Sequence, residues 1–515
     1  MSTSENAAIY FVDRHVGEGR GGNIAYRETF GTRRQLSYGS LADESGRAAS
    51  ALLRAGLRRE ERVAMLVLDT LEFPVLFWGC LKAGLIPVPV NTLLATPVYD
   101  AILRDSRAAG LIVSTELLPV VAPALAGNPW LRHIIVIGSG EVPGAQSYDN
   151  FMAGTSPMPA VAALADETAF WLYSSGSTGK PKGVRHVHRA LKATADTYGR
   201  NVLGIREDDI VYSAAKLFFA YGLGNAMTFP LSVGATALLY NGRPTPDAVM
   251  TILADDKPTI FCGVPTLYAA TLAQLEKNAA PPPCPFRLCI SAGEALPAQI
   301  GQKWREQWGV DILDGVGSTE MLHIFLSNRS GDVVDGTSGI AVPGYGVRLV
   351  DDSGTEIGPG SIGELLVRGA SASEGYWNQL DKSRTTFEGE WTRTGDKYEM
   401  TAAGRFIYCG RTDDMFKVSG IWVSPFEVEQ ALIAHPAVLE AAVIAAQDED
   451  GLDKPKAFIV LKDQENAGDI AAELKSFVQE KIGKWKYPRW IDIVPDLPKT
   501  ATGKIQRFKL REGNR

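Results

Sequence analysis

Trp171-Leu172-Tyr173-Ser174-Ser175-Gly176-Ser177-Thr178-Gly179-Lys180-Pro181-Lys182-Gly183-Val184 is an apolar strand end running into a loop of Gly, Ser, Thr and Lys. Small residues let backbone N–H groups approach an anion closely. Hydroxyls donate to phosphate oxygens, and lysines add positive charge. The stretch therefore reads as a phosphate grip. It is not the common nucleotide P-loop, which needs a glycine, four residues and then Gly-Lys-Ser/Thr. Here Ser174 stands at the first glycine position, and Pro181 follows Lys180. A flexible linker is the bland alternative. Linkers are compositionally biased over longer spans, whereas a hydrophobic strand precedes this loop and ordered-looking sequence follows it.

The stretch Tyr173 to Val184 resembles the phosphate loop of the adenylate-forming superfamily, which comprises acyl- and aryl-CoA synthetases, adenylation domains of peptide synthetases, and luciferases. The resemblance runs over almost the whole chain, and within the superfamily it points to the benzoate–CoA ligases. It implies that Ser174, Ser175, Gly176, Ser177, Thr178, Gly179 and Lys180 hold ATP phosphates.

Upstream of the loop, strands and helices alternate. Asn23–Arg27 is a short strand, and 42–56 has helical apolar spacing, starting near Ser40 or Leu41 and stopped by Gly56. Residues 62–68 read as a buried strand, and 71–84 as a helix ending at Gly84. Leu111–Ser114 and His133–Ile137 are further strands. Ile86-Pro87-Val88-Pro89-Val90 is a strand that its prolines confine to an edge or bulge. The alternation implies a mainly parallel, helix-covered sheet. Residues 138–159, rich in Gly, Pro and Ser, read as an exposed loop.

Downstream, His186 and His188 stand two apart with no third ligand near, which does not suit a protein zinc site. Lys216-Leu217-Phe218-Phe219-Ala220-Tyr221-Gly222-Leu223-Gly224-Asn225 sets aromatics beside glycines. The glycines are expected to interrupt a helix and let an aromatic plane face a cavity. By the resemblance, Phe219, Ala220, Tyr221 and Gly222 form the wall for the acid substrate. Leu288–Pro297 is strand, turn and helix start. It resembles the adenine-side loop, so Ala292, Gly293 and Glu294 are expected against the base. In Asp314-Gly315-Val316-Gly317-Ser318-Thr319-Glu320, the resemblance gives Glu320 to Mg²⁺, a hard cation that prefers carboxylate oxygen. It gives Thr319 to phosphate and Asp314 to the adenine amine. Many relatives carry an aromatic residue where this chain has Val316. His323 lies three residues past Glu320. A lone histidine among apolar residues is usually a core residue, but here the resemblance offers it a role in the substrate pocket.

Residues 340–369 read as a β-rich subdomain with hairpin turns. Thr394-Gly395-Asp396 matches the carboxylate that holds both ribose hydroxyls, and Arg411 a second nucleotide contact. Asp413 matches the hinge on which a small domain rotates. Lys417, Ser419, Gly420 and Trp422 resemble the face that lines a CoA tunnel. Ser424-Pro425-Phe426-Glu427 reads as a capping box that opens a helix. Strands 441–446 and 457–461 and a helix over 469–483 complete a small α+β domain. Lys504, in Pro498-Lys499-Thr500-Ala501-Thr502-Gly503-Lys504, matches the catalytic lysine.

The expected fold is α/β: a large N-terminal domain (1–410) of helix-covered sheets with a β-rich subdomain, then a small mobile α+β C-terminal domain (411–515). A length of 515 residues suits two or more domains. The net charge of −7 argues against general nucleic-acid binding. No apolar run is long enough to span a bilayer, and no signal peptide is visible. Five scattered cysteines without metal-ligand spacing suit a reducing compartment, hence a cytoplasmic location. The resemblance implies a monomer or homodimer that takes ATP, Mg²⁺, CoA and a small aromatic carboxylate. It would form aryl-adenylate and pyrophosphate, then aryl-CoA and AMP. A substituted benzoate, a small cyclic or medium-chain acid, or transfer to a carrier protein are the alternatives.

Overall fold

The computed structural model describes residues 5–140, 142–175, 181–277, 282–418, 421–449, 451–462, 470–483, 486–499 and 505–512. Gly176, Ser177, Thr178, Gly179, Lys180, Ser419, Gly420 and Lys504 lie outside the described residues, as do the side chains of Ser175, Lys417 and Trp422. The chain forms two compact units. One comprises Met1–Asp335, Gly339–Gly346 and Val367–Thr392; the other Gly336–Ser338, Val347–Leu366 and Arg393–Arg515.

The first unit is built on two large sheets. In the smaller, Ile86–Pro89, Arg62–Leu66, Gly110–Ser114, His133–Ile137 and Ala145–Ser147 lie side by side in that order, all parallel. Such strands are covered on both faces and so read as continuous apolar runs. The proline strand Ile86–Pro89 takes the edge, as its missing N–H groups require. The larger sheet runs in the order Ile340–Ala341, Ile324–Ser327, Ile312–Gly317, Leu288–Ser291, Ile260–Gly263, Ile210–Ser213, Thr236–Leu239, Ile24–Glu28, Gln35–Ser37. Its centre is parallel, and antiparallel strands close both ends. Ligands in open sheets of this kind bind outside the carboxyl ends of the strands.

Several local expectations are corrected. The first long helix is Tyr38–Arg54, because the Ser37 hydroxyl accepts from the Ser40 N–H and caps it earlier than the apolar spacing suggests. Gly56, at φ +92°, still marks its exit. The stretch 138–159 is not simply an exposed loop. It holds the strand Ala145–Ser147 and the helix Tyr148–Met152, which buries Phe151 and Met152. Gly222 and Gly224 do not break a helix: α-helix Ala220–Leu223 passes into π-helix Gly224–Thr228 and then α-helix Phe229–Val233. The two glycines serve close approach. A Cβ on Gly222 would overlap the Lys216 carbonyl oxygen, and one on Gly224 would overlap the His323 ring.

In the second unit, one antiparallel hairpin pairs Leu349 with Ile357 and another pairs Asp396 with Arg411. The expected α+β end is present. Strands Val438–Gln447, Asp453–Leu461 and Trp490–Ile493 form one sheet with helices Pro425–Ile433 and Ile470–Ile482. Val428, Leu432, Val443, Ile459, Leu474 and Val478 fill the core between them. Ser424 caps its helix by accepting from the Glu427 N–H at 3.1 Å. The Glu427 carboxylate accepts from Lys486 at 2.7 and 2.8 Å, so only the serine half of the capping box is realised.

Candidate active site

The strands on either side of the phosphate stretch pair with each other. Thr168–Ser175 pairs antiparallel with Pro181–Val187, with Ser174 opposite Lys182 and Ser175 opposite Pro181. Phe170, Trp171 and Leu172 are buried and fix its register. On the hairpin's other edge, Val184 pairs with Tyr376. The Tyr376 hydroxyl donates to Glu320 Oε1 at 2.8 Å, and the Ser373 N–H donates to the Glu320 carbonyl at 2.8 Å. Lys182 Nζ lies 5.3 Å from the Tyr376 ring centroid. Glu320 is thus fastened to the phosphate hairpin through one phenol.

Glu320 itself sits in the turn between Ile312–Gly317 and Ile324–Ser327. The Met321 N–H donates to the Ser318 hydroxyl at 3.2 Å, Leu322 N–H to Thr319 O at 3.1 Å, and His323 N–H to Met321 O at 2.8 Å. Leu322 is buried in left-handed backbone at φ +66°. Such strain costs about 1–3 kcal/mol and persists only where the surroundings enforce it. The turn leaves Thr319 and Glu320 partly exposed and buries His323 two positions on from Met321.

His323 is packed among aromatic rings. Its centroid lies 4.5 Å from Phe229, 5.3 Å from Tyr198 and 5.7 Å from Tyr221. Burial pushes its pKa down to about 3, so the ring is neutral at physiological pH. Nε2 faces the Tyr221 carbonyl at 3.3 Å and carries the proton. Nδ1 is buried with no hydrogen-bond partner among the described residues. The Tyr221 hydroxyl donates to Gly263 O at 3.1 Å and Ile290 O at 3.2 Å, at the ends of two central strands. Phe219 packs on Phe218 with centroids 4.4 Å apart. Tyr221 and His323 therefore meet, with Ala220 and Gly222 beside Tyr221 in the chain and His323 three residues from Glu320.

On the neighbouring strands, Ser291 and Asp314 are register partners. Gly293, at φ +100°, turns the chain between Ala292 and Glu294. Burial holds the Asp314 carboxyl well above the usual range, partly offset by the Leu296 and Gly315 backbone. In the second unit, Arg411 Nη1 donates to Asp396 Oδ1 and Thr394 O, both at 2.9 Å. Burial alone would lower the Arg411 pKa, but the Asp396 charge outweighs it and the guanidinium is held firmly protonated. Gly395 takes left-handed backbone at φ +71°, which favours glycine, and a Cβ there would come 2.8 Å from Arg411 Nη2. Asp413 is exposed in the turn that follows. Lys417 and Trp422 are cross-strand partners. Leu497 is buried and Lys499 bridges to Ile505, so both flanks of the Lys504 stretch are fixed.

Tyr376, Tyr198 and Phe229 are site neighbours absent from the sequence reading. Tyr376 is 56 residues from Glu320 in the chain, and a side-chain hydrogen bond formed only in the fold joins them. His186 is fully buried and stacks on Phe170 at 5.1 Å, and His188 Nδ1 accepts from the Ala7 N–H at 3.2 Å. Among the described residues no cluster of three or more His, Cys, Asp or Glu side chains could hold a metal. One carboxylate beside a hydroxyl, Glu320 with Thr319, fits Mg²⁺ that arrives on nucleotide phosphates, because that ion takes few protein ligands. The five cysteines are free and four are buried. No helix among the described residues is long and apolar enough to cross a membrane.

Known proteins share this architecture. The AMP-binding enzyme model matches residues 13–377, and the AMP-binding enzyme C-terminal domain model matches 427–504. A 4-hydroxybenzoate–CoA/benzoate–CoA ligase of Rhodopseudomonas palustris is 54% identical over 509 residues, covering 98% of this chain and 94% of its own. A benzoate–CoA ligase of Thauera aromatica is 52% identical over 516 residues, covering 98% and 95%. The crystal structure of a benzoate CoA ligase from Burkholderia xenovorans LB400 superposes with a TM-score of 0.90 at 48% identity, covering 98% of this chain and 99% of that one. The chain belongs to the AMP-binding enzyme family, the adenylate-forming ligases.

Proposed function

We propose that the protein is an aryl-CoA ligase that activates benzoate. The observation that carries this reading is the short aromatic wall Phe219–Gly222 closing on a buried, neutral His323 just beyond Glu320. A planar ring suits this enclosure better than a long fatty chain. Two relatives that act on benzoate, each over half identical, support it.

In the first half-reaction a substrate carboxylate oxygen attacks the α-phosphate of ATP and pyrophosphate leaves. Glu320 would hold Mg²⁺, which would neutralise charge at the phosphates. The hairpin loop 174–180 cradles the phosphates, Thr319 donates to them, and Lys504 stabilises the charge that builds on the α-phosphate. Tyr376 keeps the Glu320 carboxylate aimed at the hairpin. Ala292–Glu294 and Asp314 receive adenine, and Asp396 and Arg411 hold the ribose. In the second half-reaction a small C-terminal domain, 411–515, turns about Asp413 and withdraws Lys504. Lys417, Ser419, Gly420 and Trp422 then guide the CoA thiol to the adenylate carbonyl, and AMP leaves. The work is placed in the cytoplasm, by a monomer or homodimer.

One observation favours a wider substrate range. The unpartnered Nδ1 of neutral His323 is an acceptor. A hydroxyl or amino group on the ring is a donor that suits it, so 4-hydroxybenzoate and 2-aminobenzoate are expected as slower substrates. The test measures AMP and thioester formation with benzoate, 4-hydroxybenzoate, 2-aminobenzoate, cyclohexane carboxylate and hexanoate side by side. Benzoate should lead. Hexanoate leading would overturn the pocket reading, and pyrophosphate release without thioester would move the protein to carrier-dependent adenylation.

A further inference from the structure

Asp69 is a buried carboxylate with no part in the chemistry above. It is 5% exposed and lies just past the carboxyl end of Arg62–Leu66, in the five-stranded sheet. The Leu68 N–H donates to the Ser114 hydroxyl at 3.0 Å, and Thr70 N–H donates to Leu68 O at 2.7 Å, so the turn that presents it is held on both sides. Its two oxygens each accept from the Leu217 N–H at 3.3 Å. Leu217 follows Ile210–Ser213, a strand of the nine-stranded sheet. One carboxylate therefore reaches from one sheet to the segment that leaves the other.

The peptide it grips is the start of the ring wall. The Leu217 N–H belongs to the same peptide unit as the Lys216 carbonyl. That carbonyl accepts from the Phe219 N–H at 3.0 Å, and the Cα of Gly222 packs directly against it. The Leu223 N–H then donates to Phe219 O at 2.8 Å and starts the helix that carries Tyr221. Lys216 is pinned as well: its ammonium donates to Gly242 O at 2.7 Å and to Tyr240 O. A buried charge is costly unless something needs it. An apolar side chain would fill this place without that cost, but it would leave the Leu217 N–H unsatisfied and the peptide plane free to rotate.

We propose that Asp69 is a positioning residue for the acid substrate: by holding the Lys216–Leu217 peptide it sets the orientation of the wall Phe219–Gly222, and with it the fit of the aromatic ring. The inference rests on the reading of that wall as the aryl pocket. A wall tilted by a fraction of an ångström weakens ring binding and leaves the nucleotide side untouched.

The test compares wild type with Asp69→Leu, Asp69→Ala and Asp69→Asn in steady-state assays with benzoate, hexanoate and ATP varied separately. Leu and Ala should raise KM for benzoate by about tenfold and leave KM for ATP within about twofold. The preference for benzoate over hexanoate in kcat/KM should shrink. Asn keeps an oxygen acceptor and should fall between these variants and wild type. If one of the two apolar variants does not fold, the other decides. An unchanged benzoate KM, or benzoate and ATP KM values that rise together with a falling Tm, would overturn the proposal. A wild type that makes no benzoyl-CoA would instead sink the reading of the pocket.

Discussion

At the scale of single residues, the site contains groups held away from their preferred states, and stability should register the cost. Asp69 is the clearest. Burial raises its pKa from 3.8 to about 6, with Lys216 and the Leu217 N–H partly offsetting it. The folded state binds this proton more tightly than the unfolded chain. Its contribution is therefore fully present below pH 4 and is lost as pH rises through 6. The loss amounts to about 3 kcal/mol. Asp69→Asn has no such titration. Its Tm relative to wild type should climb between pH 4.5 and pH 7.5 and then level off, which parallel thermal melts across that range would read. A difference that stays flat with pH would show that folding does not shift the Asp69 pKa, and one that climbs without levelling would show that Asp69 stays protonated in the fold. The residue scale is also where sequence reading reached furthest. Thr319, Glu320 and His323 stand in one short motif, and one turn does bring them together. Asp69 and Tyr376 were invisible, because their partners Leu217 and Glu320 lie 148 and 56 residues away in the chain.

At the scale of elements, local signals carried the strands and most helix ends, and packing between elements decided the rest. The proline strand Ile86–Pro89 was legible as an edge, since a missing N–H is a local property. The helical run through Gly222 and Gly224 was not, since its glycines answer to the Lys216 carbonyl and the His323 ring, which no window of neighbouring sequence contains. The same holds for helix Arg507–Glu512, which follows the Lys504 stretch. Arg507 donates to Glu429 at 2.7, 2.8 and 3.1 Å, and Glu429 also accepts from the Val443 N–H at 2.7 Å. Arg511 pairs with Asp414, one residue past the proposed hinge. Glu429 is 3% exposed, so breaking the pair strands a buried charge. Arg507→Ala should destabilise the protein by about 3–5 kcal/mol, read by denaturant unfolding. Asp413→Ala, on an exposed turn, should leave stability within about 0.5 kcal/mol. Comparable losses in both would deny the buried pair its structural role.

At the scale of the whole molecule, the proposed division of labour makes the two half-reactions separable. Arg507 ties the helix after the Lys504 stretch to Glu429, and a bridge joins the flanks Lys499 and Ile505. Arg507 belongs to the helix that follows the Lys504 stretch, and Lys417 and Trp422 pair across a different hairpin. A lysine that stabilises charge on the α-phosphate is needed only while that charge develops, and thiol attack on the adenylate carbonyl builds no new charge there. Lys504→Ala should therefore cut adenylation by about 10²- to 10³-fold, the scale of losing one transition-state donor. Conversion of supplied benzoyl-adenylate to benzoyl-CoA should stay within about threefold of wild type, since the lost donor is not used there. Pyrophosphate release and thioester formation, followed separately on the same preparation, distinguish the cases. Equal loss in both would mean that one arrangement of the small domain serves both steps, and the rotation about Asp413 would have no work to do.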